Sequence, residues 1–189
     1  MACQVETKRL WLKPLGPEHI GKTYVDWLNN SILMQFTQHA GKPHTIASCR
    51  EYATGFDHVT CCLWAIEIKM GKHIGNINAY ITPDQNVADI GLLLGPDEGG
   101  KGYGLEAWQG AMAALFDYYG MRKVTGGCLA PNQSMLSLME KLKMVPDGVR
   151  KAHFLYNSKP VDVVHKAIFS ENYLKSQDIN LKHVNAPKW

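Results

Sequence analysis

Residues 99–104 read Gly-Gly-Lys-Gly-Tyr-Gly, four glycines in six positions. Without Cβ atoms, successive backbone N–H groups can turn toward one point, and a helix that starts there adds the positive end of its dipole. Such a loop suits a phosphate or a diphosphate. A Walker loop needs Ser or Thr after Gly-Lys, yet Lys101 is followed by Gly102, so the magnesium-binding hydroxyl is missing. The run Gly102-x-Gly104-x-x-Ala107 satisfies a loose dinucleotide fingerprint, but the next strand ends Cys128-Leu129-Ala130 with no acid to hold a ribose. That makes a dinucleotide the weaker ligand.

A second source of chemistry lies just upstream. Pro83-Asp84-Gln85-Asn86 reads as a hairpin turn, and pairing Thr82 with Val87 sets Ile81 against Ala88, Ala79 against Ile90 and Ile77 against Leu92. That face is wholly apolar. The other face sets Tyr80 against Asp89 and Asn78 against Gly91, with Asn76 further along. A polar face at the centre of a sheet suggests a substrate site, with Asp89 as candidate general base and Asn76, Asn78 and Tyr80 lining an acceptor pocket. His44, just before a helix, is a further acceptor-side candidate. None of the five cysteines has a His placed to activate it, and there is no CxxC pair, so neither a thiol nucleophile nor a metal site is expected.

The elements that must carry these residues follow from periodicity. A strand over residues 9–15 leads into a helix opened by Gly16-Pro17, with Ile20, Tyr24, Trp27 and Leu28 on one face. Thr45 caps a second helix whose stripe is Ile46, Cys49, Ala53 and Phe56. From Cys62 the period becomes two, giving strands over 62–70, 73–81 with a bulge at Gly75, and 87–94. A long helix over 102–119 carries small residues (Ala107, Ala111, Ala114) on one stripe, for close approach to a sheet. A strand over 123–129, a helix opened by Asn132, and a hairpin of 153–156 with 161–169 complete the domain, and 171–189 is expected to be a tail. The fold class is α/β (α+β): a mixed, mostly antiparallel central sheet flanked by helices in a single domain over 1–170.

With these residues in view, the stretch ADIGLLLGPDEGGKGYGLEA (88–107) resembles the acetyl-CoA motif of the GNAT N-acetyltransferases, and NQSMLSLMEKLKM (132–144) is similar to the family's second motif. The resemblance covers about residues 8–170. It implies that Gly99, Gly100, Lys101, Gly102, Tyr103 and Gly104 cradle the diphosphate of acetyl-CoA, that backbone near Leu92, Leu93 and Leu94 holds the acetyl carbonyl and pantetheine, and that Asn132 belongs to the cofactor site. It also supports Asp89 as base, acting through a water. Two positions depart from the pattern. Gly99 stands where the family usually has Gln or Arg, and Met139 stands where many members have a proton-donating Tyr.

Within the family, YVDWLNN (24–30), KHIGNI (72–77) and VDVV (161–164) resemble the branch that includes nucleotide-linked amino-sugar acetyltransferases and enzymes acting on ribosomal-protein N-termini. The implied function is acetyl transfer from acetyl-CoA to a primary amine, on a small amino sugar first and a protein α-amino group second. A noncatalytic acyl-CoA sensor is the reading from another class. Lys and Arg exceed Asp and Glu by 20 to 17 with no basic stripe, so nucleic acid is not an expected partner. No apolar stretch reaches membrane-spanning length, the N-terminal MACQVETKR has no apolar leader, and the five cysteines form an odd set that suggests no disulfide framework, so a reducing cytoplasm is expected; a homodimer is compatible with the sequence but not specified by it.

Overall fold

The computed structural model describes residues 3–174 and 177–182. Nine strands form one sheet: β1 (Gln4–Glu6), β2 (Leu10–Pro14), β3 (Cys61–Ile68), β4 (His73–Thr82), β5 (Val87–Leu94), β6 (Lys123–Leu129), β7 (Val145–Tyr156), β8 (Lys159–Phe169) and β9 (Asn180–Lys182), in the order β7-β8-β6-β5-β4-β3-β2-β1-β9. The β5–β6 pair is parallel and every other neighbouring pair is antiparallel. The helices are α1 (Lys22–Leu28), α2 (Ser31–Met34), α3 (Ile46–Thr54), α4 (Tyr103–Ala113), which runs on into a π-helical turn over Ala114–Tyr118, and α5 (Gln133–Lys141). The mixed α/β class expected from the sequence is the observed one.

Alternation along the strands sorts the core into two layers. In β3, Cys62, Trp64 and Ile66 join Ile77, Ala79, Ala88 and Ile90 against α4, while Leu63 and Ala65 pack with Ile20, Tyr24, Trp27, Cys49 and Phe56 on the opposite face. Ala107, Ala111 and Ala114 are fully buried, as their small size anticipated, and Gly110 brings α4 closer still. A Cβ there would stand 3.0 Å from Thr7 and 3.1 Å from Leu12.

The β4–β5 register is the one read from the hairpin, pair for pair from Thr82↔Val87 to Ile77↔Leu92. The bulge falls beside Gly75: Ile66 pairs with Gly75 but Glu67 pairs with His73, leaving Ile74 extra. Several boundaries differ from expectation. The last hairpin turns on two residues, Asn157 and Ser158, both at positive φ, because that geometry matches the twist of paired strands. Strand β7 starts at Val145, earlier than its pattern suggests, since two register irregularities break its alternation. Ile46, assigned to the inner stripe of α3, is exposed because it sits in the helix's first turn.

The C-terminal segment is more than a tail where it is described. Residues Asn180–Lys182 pair with β1, Ile179 is 6% exposed, and the Tyr173 ring lies 4.7 Å from that of Phe116. A three-residue strand and isolated anchors leave no periodicity to read.

Candidate active site

Strands β5 and β6 pair over three residues, Val87↔Lys123 to Asp89↔Thr125, and then part. Gly126 follows the last pair, and a Cβ there would meet the Trp108 indole at 2.9 Å, so that ring occupies the core side of the fork. Gly95 N donates to Ile74 O at 2.8 Å, which fixes the alternation along β5: the backbone groups of Leu93 and Gly91 face β4, and those of Leu92 and Leu94 face the opening. Parting strands thus free amide and carbonyl groups that a sheet would otherwise consume.

A cavity of about 810 Å³ extends from this opening. It is lined by Leu92, Leu93 and Leu94 of β5, by Gly99, Gly100, Gly102 and Gly104 with Asn132 of the α5 cap, and by Asn30, Ile32, Leu33, Gln35, Phe36 and Thr37 around α2. Gly100 and Gly102 have φ of +75° and +78°, conformations that a side chain would strain. Gly104 is needed for contact, since a Cβ there would come within 3.2 Å of both Leu138 and Leu92. The chain therefore brings an amide-rich turn, the start of α4 and two freed strand amides to one cavity.

Of the residues proposed from sequence for the cofactor, Leu92, Leu93, Leu94, Gly99, Gly100, Gly102, Gly104 and Asn132 line this cavity. Lys101 and Tyr103 do not. The Lys101 ammonium pairs with Glu98 at 3.0 Å, and Lys72 pairs with the same carboxylate at 2.6 Å. These two hydrogen bonds hold the Glu98 carboxyl below the usual range. The Tyr103 ring lies beneath the Arg9 guanidinium, 4.6 Å away. Asn132 caps α5 by accepting from Met135 N.

Asp89 stands where the strands begin to part. Its carboxylate accepts a hydrogen bond from Thr125 Oγ1 at 2.7 Å. One side of Asp89 is open to water, but the surrounding protein strips part of the carboxyl's hydration and pushes its pKa up; the Thr125 hydrogen bond and the charges of His165 and Arg150 act in the opposite direction. Asn76, Asn78 and Tyr80 share its face by register. Asn76 Nδ2 donates to the Tyr24 hydroxyl at 3.4 Å, and its Oδ1 has no partner among the described residues. Asn78 lies across Gly91, its Oδ1 2.7 Å from where a Cβ would stand. Tyr80, 48% exposed, shares a hydrogen bond with Tyr52 at 3.3 Å.

His44 is further out. Its backbone is tied to Asn29 by two hydrogen bonds, and its ring lies 6.0 Å from that of His39, which in turn lies 6.2 Å from Tyr52. It belongs to the rim and has no direct contact with Asp89. Met139 is fully buried in the core. Sequence reasoning missed Thr125, because the parallel β5–β6 register has no local signature, and it missed Ser134 and Ser137, which line the cavity from α5 together with Lys141 of the second motif. It also missed the segment after α2, where Tyr156 donates to Gln35 at 2.8 Å and its ring lies 5.2 Å from Phe36.

The family model of the acetyltransferase (GNAT) domain matches residues 9–145. The chain belongs to the GNAT acetyltransferases. It is an acetyl-CoA-dependent acyltransferase by that membership. No curated protein sequence matches it. Among solved structures, a GNAT-family acetyltransferase from Bacillus anthracis is 18% identical with a TM-score of 0.78, over 89% of this chain and 99% of that one. Spermidine N-acetyltransferase from Vibrio cholerae, in complex with CoA and spermine, is 18% identical at 0.79, over 87% and 97%. A ribosomal L7/L12 α-N-protein acetyltransferase in complex with CoA is 18% identical at 0.77, over 86% and 95%. At such identities the likeness speaks for the GNAT fold alone. Among the described residues no helix is long and apolar enough to cross a membrane.

Proposed function

We propose that the protein acetylates the primary amine of a small amino sugar, one linked to a nucleotide, by direct attack on acetyl-CoA in a ternary complex. The observation that carries the reading is the fork between β5 and β6, with an amide-rich loop beyond one end of the opening and a carboxylate, Asp89, at its base. The cavity is large enough for an extended cofactor, and its glycine turn offers backbone donors suited to a diphosphate. Acetyl-CoA supplies an acyl carbon already activated by a thiolate leaving group, which departs readily because a thiol has a pKa of about 8.5.

The residues of this chain then have three tasks. Amides of Leu92 and Leu94 orient the carbonyl and the pantetheine arm. Asp89 removes the amine's proton through an intervening water, and its raised pKa makes it a stronger base than a fully hydrated carboxylate. Thr125 aims that carboxylate. Thiolate departure requires no protein acid, which accommodates the buried Met139.

Charge and shape favour a sugar over a polyamine. The lining residues around α2, Asn30, Ile32, Leu33, Gln35, Phe36 and Thr37, carry no charge, and the carboxylate in the lining, Glu98, is already paired with Lys72 and Lys101, whereas a polyamine needs free carboxylates. Tyr80, Tyr52 and Phe56 offer aromatic faces beside the amides of Asn76 and Asn78, the mixture that suits a sugar ring. A protein α-amino group is the second reading, favoured by the openness of the rim at Tyr80. Thiol release would be followed with acetyl-CoA against a nucleotide-linked amino sugar, free glucosamine, spermidine and a short peptide. Release with the first supports the proposal. Release with spermidine or the peptide alone moves the acceptor class, and CoA binding without release from any amine makes the chain a sensor.

A further inference from the structure

Arg9 lies outside the cavity, yet its side chain holds the glycine loop at two points, the Lys101 carbonyl and the Tyr103 ring. Its Nε donates to Glu106 Oε2 at 2.6 Å and its backbone N–H donates to Glu106 Oε1 at 2.6 Å. Its Nη1 donates to the carbonyl of Lys101 at 3.0 Å, and its guanidinium lies over the Tyr103 ring. Thr7 Oγ1 donates to Glu106 Oε1 at 2.6 Å and accepts from Leu10 N at 3.0 Å, so the carboxylate is held from two sides. A planar fork can engage a carboxylate, a carbonyl and a ring face together, which a single ammonium cannot.

The consequence follows from the planarity of the peptide group. In the trans peptide joining Lys101 to Gly102, the carbonyl and the N–H point in opposite directions. Drawing the Lys101 carbonyl outward to Arg9 therefore turns the Gly102 N–H toward the other side, where Gly99, Gly100, Gly102 and Gly104 line the cavity. Gly102 has φ +78° and no side chain of its own to fix that orientation.

We infer that Arg9 is a positioning residue for cofactor binding: by gripping Glu106 and the Lys101 carbonyl it holds the Gly102 amide aimed at the diphosphate. The inference rests on reading the loop as the diphosphate grip. Calorimetry with CoA and with pantetheine, which lacks the diphosphate, tests it without needing an acceptor. Wild-type protein should bind CoA at least a hundredfold more tightly than pantetheine; equal affinities would sink the loop reading itself. In Arg9→Lys, which keeps a charge for Glu106 but loses the fork, CoA affinity should fall about tenfold with pantetheine affinity held. A CoA preference unchanged from wild type overturns the role of Arg9, and so does an equal loss for both ligands, which marks a general structural effect. If Arg9→Lys does not fold, Glu106→Gln is read by the same ratio, since its amide nitrogen would face the Arg9 Nε and loosen the guanidinium.

Discussion

At Asp89 two consequences of one burial effect can be separated. A base must be ionised, so turnover should rise with pH through its raised pKa, and Asp89→Asn should lower kcat by about a hundredfold or more while CoA binding stays the same. Stability should move the other way. The folded-state pKa lies above the unfolded value of about 3.9, so between the two the native state binds more protons and stability falls as pH rises. Asp89→Asn removes that loss and still accepts from Thr125, so its melting temperature should exceed wild type at neutral pH and converge with it below about pH 4. A variant less stable at neutral pH would show that Thr125 binds the charged carboxylate strongly enough to outweigh its lost hydration. Gly99 gives a gain-of-binding test. A Cβ there meets nothing within 4 Å and the backbone is in an ordinary extended conformation, so Gly99→Arg can be accommodated. Its guanidinium at the mouth of the loop should lower the KM for acetyl-CoA by about fivefold, the upper scale of one solvent-exposed ion pair.

Between strands, legibility in the sequence depended on distance along the chain. The β4–β5 pairing was readable because a short turn fixes the register and alternation then separates Ile77, Ala79 and Ile81 from Asn76, Asn78 and Tyr80. The glycine loop was readable because composition and the following helix are local. The fork between β5 and β6 was not, since its strands are joined through α4 and nothing in either marks where pairing stops. Thr125, α2 and the Tyr156 contact were hidden for the same reason. Gly126 marks the fork in retrospect. Its added methyl would stand 2.9 Å from the Trp108 ring, itself 1% exposed, so Gly126→Ala must push a buried indole toward α4. Overpacking of this kind costs about 1–3 kcal/mol, measurable by chemical denaturation, and an unchanged midpoint would mean that Trp108 can shift freely.

Across the whole molecule, the site depends on a sheet edge that lies far from it. Strand β9 pairs with β1, and β1 leads directly into Thr7 and Arg9, which hold Glu106 and the loop carbonyl. The C-terminal segment, formless when read from sequence, thus braces the strand from which the cofactor loop is held. Ile179 is the anchor, 6% exposed against the main core. Ile179→Ala should cost about 2–3 kcal/mol, toward the lower part of the range for a buried Ile because an edge strand can partly collapse onto the gap. For a domain of this length that corresponds to a fall in melting temperature of about 4–12 °C. Kinetics then distinguish bracing from mere stability. If β9 steadies β1, the variant assayed well below its melting point should show a raised KM for acetyl-CoA with kcat preserved, because Asp89 and Thr125 lie on the far side of β4, β3 and β2. A lowered melting temperature with both constants unchanged would confine the segment to holding the sheet edge closed.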